Sequence, residues 1–164
     1  MISPDWVRAM AAYNAEMNRR LYRSAATLTE AQRREELGAF FGSVHATLSH
    51  LCWADAAWMA RLAGWPAPGG NPREGAAMHA DWDAMRALRA DQDARMEAWA
   101  AGLDAPALAG DLTWTNSRGM TSTRPRWLLV THMFNHGTHH RGQVHVLLTR
   151  LGAPVEDTDL PWIV

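Results

Sequence analysis

The chain has 164 residues, 48% of them apolar, with 16 basic and 17 acidic side chains. That length suits one domain with a sizeable core. Charges so evenly matched leave no basic excess to grip nucleic acid. The opening MISPDWVRAM lacks a basic-then-apolar leader, no apolar run reaches about 18 residues, and Cys52 is the single cysteine. These features predict a cytoplasmic protein with no membrane span and no disulfide framework.

Ser3-Pro4 is a helix start, with serine as N-cap and proline in the first turn. Trp6, Met10, Tyr13, Met17 and Leu21 then recur at three- and four-residue steps, one apolar face of a helix reaching about Ala26. Thr29 ahead of Glu30 and Gln32 caps a short turn. Gly38 and Gly42 leave helix continuity open beyond that turn. A second long helix is predicted from about Phe40 to Leu62, stopped by Gly64-Trp65-Pro66. Residues 64–75, GWPAPGGNPREG, read as a loop by composition. A third helix is predicted from about Glu74 to Ala101, carrying Met78, Trp82, Met85, Leu88, Met96 and Trp99, and ending at Gly102 and Pro106.

In DLTWTNSRGMTST, residues 111–123, Leu112 and Trp114 alternate with polar neighbours. Asn116-Ser117-Arg118-Gly119 reads as a turn, so the segment is a small hairpin or an extended loop. The last helix starts near Pro125 and runs to Leu151, ahead of Gly152 and Pro154. Four helices of about 20 residues predict an all-α, antiparallel four-helix bundle, with residues 1–164 as one domain. Most of the nine tryptophans are expected to fill the core or an interface. Their number also predicts a homodimer.

The last helix holds THMFNHGTHHRGQVH, residues 131–145, with His132, His136, His139, His140 and His145. At about 100° per residue, His136, His140 and His139 lie within about 80° of His132, and His145 lies on the far side. Two imidazoles at i,i+4 can converge on one metal ion. His132/His136 and His136/His140 both have that spacing. A third ligand must come from another helix, and His45, His50 and His79 are the candidates. The helix face of His50 carries Ser43, Ala46, Ala54 and Ala57, small residues that leave room for an imidazole to point inward. Asp55 and Cys52 project well away from it.

The segment NHGTHHRGQVHVLLTRLG, with SVHATLSHLCWADAAWMARLAG upstream, resembles the DinB family. The likeness runs over residues 5–162. The resemblance implies a metal held by one histidine of the second helix and two of the fourth, here His50, His136 and His140. His132 and His139 then line the approach to the site or pack at an interface. Asn135 and Gln143 flank the ligands and could hydrogen-bond near them. Arg141 is expected to pair with Asp55, and Gly142 to permit a close helix approach.

Three neutral imidazoles on a divalent ion leave open positions, the pattern of a catalytic rather than a closed structural site. Imidazole suits zinc, nickel, iron or copper. The resemblance implies a small-molecule substrate, a low-molecular-weight thiol among the candidates, and a metal-dependent thiol S-transferase or hydrolase. The alternative is a metal- or ligand-binding stress-response bundle without catalysis.

Overall fold

The computed structural model describes residues 2–116 and 118–164. Four long helices carry the architecture: α1 (Pro4–Ala25), α3 (Val44–Ala63), α5 (Trp82–Ala101) and α7 (Arg126–Arg150). Between them lie the short helices α2 (Glu30–Arg34), α4 (Pro72–Met78) and α6 (Ala105–Leu108), and the strands β1 (Asp111–Thr115) and β2 (Thr121–Pro125). The strands pair antiparallel, Asp111 opposite Pro125 and Thr115 opposite Thr121. The expected turn between them includes Ser117, which lies outside the described residues. A 3-10 turn, Leu160–Trp162, closes the chain. No helix among the described residues is long and apolar enough to cross a membrane.

Capping side chains decide where the helices begin. Ser3, Ser43 and Asp81 each accept a hydrogen bond from the backbone N–H three residues on, so the first-turn donors of α1, α3 and α5 are satisfied. Ser43 therefore starts α3 later than the expected Phe40. Phe40 and Phe41 belong instead to a turn between Gly38 and Gly42, whose φ values are 77° and 82°. The expected third helix is two helices. α4 ends at Met78, with His79 as its C-cap, and Asp81 caps α5 afresh.

The two halves of the core give the helix directions. At one end Leu21 and Tyr22 of α1 share a cluster with Val44 and Leu48 of α3, Met85 of α5 and Leu147 and Leu148 of α7. At the other end Val7 and Ala11 meet Met59 and Leu62, Met96 and Ala100, and Val130 and Met133. So α1 and α7 run one way, and α3 and α5 run the other. α1 packs on α5 and α7, and α3 packs on the same two. The neighbouring pairs α1/α5 and α3/α7 are antiparallel, whereas α1/α7 and α3/α5 are parallel.

Parallel neighbours in sequence, α3 then α5, require the chain to travel back along the bundle between them. Residues 65–81 make that return against α3. Trp53 Nε1 donates to the Gly69 carbonyl at 2.6 Å, and Ser49 Oγ to the Gly75 carbonyl at 2.7 Å. His45 Nε2 lies 2.7 Å from the His79 carbonyl. The return segment fits closely: a Cβ on Gly75 would come within 2.5 Å of the Trp53 ring.

A buried polar network ties the four long helices together. Asp55 of α3 pairs with Arg89 of α5 at 2.7 Å, and Arg89 pairs with Asp93 at 2.8 Å. Asp93 accepts from Asn18 and Asn14 of α1, and Asn14 accepts from Arg141 of α7. Two carboxylates and two guanidiniums cancel in formal charge, as burial demands. Arg141 therefore does not pair with Asp55 as expected. One residue beyond His140 it is turned about 100° further round α7 and aims at α1. Gly142 is likewise not at a close approach, because nothing lies within 4 Å of a Cβ built there. The crowded glycine is Gly137, whose Cβ would sit 2.9 Å from an Arg141 Nη. Of the tryptophans only Trp53 is buried, and Trp162 is 86% exposed. The remaining seven are half-buried, and six of them pack against the core clusters from outside.

Candidate metal centre

His50 of α3 and His136 and His140 of α7 meet where these antiparallel helices cross. One ring nitrogen from each lies within 4.8 Å of the others. The Nε2 atoms of His50 and His136 are 3.4 Å apart. Nitrogens bound to one zinc at about 2.0–2.1 Å in tetrahedral array would be about 3.4 Å apart. Helix geometry brings together two of the three rings, because i,i+4 residues stack one turn apart on α7.

The other nitrogens set the tautomers. His50 Nδ1 lies 3.2 Å from the Pro72 carbonyl, which can only accept. His140 Nδ1 lies 2.8 Å from Gln143 Oε1, also an acceptor. In a neutral ring each Nδ1 then holds the proton, and each Nε2 turns a lone pair toward the cluster. That is the carbonyl-to-histidine support that metal-binding imidazoles use. His136 Nδ1 is buried without a partner among the described residues. Two facing Nε2 lone pairs repel unless a proton or a cation sits between them. The donor set, its spacing and its tautomers therefore fit a divalent metal ion.

Burial removes charge from the cluster. It lowers the His50 pKa to about 4, with His140 adding to the effect. It lowers His136 to about 4 as well, helped by His140 and His50. His140 is also lowered, chiefly by burial. All three are neutral at neutral pH, the state in which imidazole donates to a metal.

Aromatic rings close one side. Phe41 stacks on His50 at 4.0 Å between centroids and lies 5.4 Å from His140. The other side opens into a cleft of about 700 Å3. Trp53, Ala54, Ala57 and Trp58 of α3 form its floor, and Trp114 to Asn116 of the hairpin form a wall. No aspartate or glutamate lines it among the described residues. A second cavity, of about 260 Å3, lies between α1, α7 and the C-terminal segment beside His145 and contains none of the three histidines.

The remaining residues singled out in the sequence divide by position. His132 lines the cleft one turn from His136, with ring centroids 5.9 Å apart and Trp58 at 5.0 Å. Gln143 holds His140, and its Nε2 donates to exposed His139 at 3.2 Å. His139 lies outside the cleft, in a shallow surface groove with Leu37 and Gln143. Asn135 is exposed and hydrogen-bonds none of the three rings. His145 sits on the opposite side of α7, as its angle predicts. His45 and His79, the other candidate third ligands, contact each other's segment away from the cluster. Sequence reasoning missed Phe41, Trp58, the Pro72 carbonyl and Arg61. Arg61 had a signal: eleven residues from His50 is about three turns, on the same face of α3.

A helical bundle with a three-histidine cluster at the mouth of an open cleft is the class that fold and site define. The sequence pattern of the DinB family matches residues 4–164, and the chain belongs to that family. Among solved structures the chain is similar to YfiT from Bacillus subtilis, described as a probable metal-dependent hydrolase with an unusual four-helix bundle topology. The two share 15% sequence identity with a TM-score of 0.65, over 94% of this chain and 92% of that one. At that identity the likeness is one of fold. No curated protein matches the sequence.

Proposed function

We propose that the protein is a metal-dependent hydrolase acting on a small molecule, with His50, His136 and His140 holding one divalent ion. The observation that carries this reading is the convergence of three neutral imidazoles beside an open cleft. An ion held so supplies Lewis acidity that lowers the pKa of water or of a thiol. The description of YfiT as a probable metal-dependent hydrolase supports the reading by analogy of fold.

The chain's own residues supply the remainder. Phe41 and Trp53 keep water from one side of the ligand rings. Pro72 and Gln143 fix two ring orientations. His132, its pKa lowered by burial, is the one free imidazole among the described residues that line the cleft and accepts the proton of the attacking nucleophile. A second reading, thiol S-transfer, is favoured by the absence of any carboxylate among the described residues of the cleft, since a thiol acidified at the centre needs no separate base.

Metal analysis of the purified protein, followed by parallel screens, tests both. One screen uses small esters, amides and phosphoesters, and the other pairs low-molecular-weight thiols with electrophiles. The expected result is one metal per chain and turnover that a chelator abolishes. Full metal occupancy with no turnover in either screen would instead support a non-catalytic binding bundle.

A further inference from the structure

The cleft has a second polar pole. Arg61 lies eleven residues after His50 on α3, about 16 Å further along the axis and only about 20° round it. α7 runs antiparallel here, so His136, His132 and then Arg61 succeed one another along the cleft. Trp58 bridges them: its ring is 5.0 Å from His132, and the Arg61 guanidinium carbon lies 4.7 Å over it. Ala54 and Ala57 keep the floor between the two poles small and apolar in side chain.

Arg61 carries the one fixed charge among the described residues that line this cleft. It is half-buried, and it makes no ion pair or hydrogen bond with any described residue. The contact with Trp58 occupies none of its N–H donors with a hydrogen-bond acceptor, so they remain available to a ligand. Its half-buried place beside a cleft without aspartate or glutamate among the described residues leaves the charge without a carboxylate, and burial lowers its pKa from the ordinary value accordingly. A cation so placed is matched by an anionic group brought in by a ligand, and a carboxylate fits its fork geometry.

We propose that the substrate is elongated and anionic: its reacting end at the histidine cluster, an apolar middle over Ala54, Ala57 and Trp58, and a carboxylate-like end held by Arg61. This rests on the metal-centre reading for the reacting end and on Arg61 alone for the anionic one. It makes Arg61 a specificity determinant rather than a catalytic residue.

The test uses cobalt-loaded protein and two probes of one length, ω-mercaptooctanoate and ω-mercaptooctanol. Titration calorimetry reads affinity, and the thiolate-to-cobalt absorption band reads whether the sulfur reaches the centre. The wild type should bind the carboxylate about tenfold more tightly than the alcohol. That preference should vanish in Arg61→Met, which keeps an unbranched stem over Trp58, and persist in part in Arg61→Lys. The band should form with both probes in all three proteins. Equal affinity of the two probes for wild type, with the band present, would overturn the role of Arg61 and leave the metal centre standing. If cobalt does not load, octanoate and octanol on the metal-free protein replace the pair. An Arg61-dependent preference for octanoate would then uphold the anion site while the metal reading fails, and equal binding would overturn both.

Discussion

His50, His136 and His140 are chemically alike, and what distinguishes them is the partner of the second ring nitrogen. The Pro72 carbonyl and Gln143 Oε1 hold two of the rings, and His136 Nδ1 is held by none among the described residues. Losing such a partner typically weakens a metal site by about 10–100-fold. Gln143→Leu should therefore lower metal affinity by about that factor, measured by chelator competition. Asn135→Ala should leave it unchanged, because Asn135 is exposed. Equal effects from the two would contradict the assigned support. Helix geometry alone left two i,i+4 pairs on α7, His132/His136 and His136/His140, and the family resemblance chose between them; Gln143 was legible because it stands three residues from His140. Asn135 had the same sequence proximity, but one residue from His136 is about 100° away, which turns it to solvent. A backbone carbonyl such as Pro72's has no residue identity for a sequence to reveal.

At the scale of elements, the return segment 65–81 shapes the site from a stretch that reads as a loop by composition. α4 presses on Trp53 through Gly75, and the same short helix sets the Pro72 carbonyl on His50. Gly75→Ala has no room for its methyl group, so α4 or Trp53 must shift. The expected outcome is metal affinity reduced by about tenfold or more with the far-ultraviolet spectrum of the bundle retained. Unaltered affinity would show that α4 is not what holds His50. The break between α4 and α5 was hidden because Met78 and Trp82 keep the four-residue step across it. Asp81 as a cap wins over that periodicity, giving α5 its own satisfied N-terminus. The hairpin was legible because strand alternation and turn residues occur together, although its role as a cleft wall depends on packing.

Across the whole molecule, periodicity showed four apolar helix faces but not which face meets which. Helix directions depend on the connections, and the parallel α3/α5 pair exists because residues 65–81 run back between them. The neutral Asp55–Arg89–Asp93–Asn14–Arg141 network was equally out of reach, since its members lie on four helices. Burial of histidine has a consequence for the whole fold. His50 and His136 have folded pKa values of about 4 against an ordinary 6.5, and burial lowers His45 in the same direction. The unfolded chain then takes up protons first as pH falls. The stability that these neutral rings contribute is complete above about 6.5 and is lost progressively toward about 4. Metal-free protein should melt at lower temperature as pH drops through that window. A melting temperature that stays flat between those limits would mean that the rings are not buried neutral.

The proposal that three of the eight histidines hold one metal ion is tested most directly by the metal stoichiometry of five variants. His50→Ala, His136→Ala and His140→Ala should each lose the bound ion, because each removes one of three protein ligands. His139→Ala and His145→Ala should retain a full equivalent, since one ring is outside the cleft and the other is on the opposite side of α7. Loss of metal from His139→Ala or His145→Ala equal to that from His136→Ala, or full metal retained by His50→Ala, would contradict it.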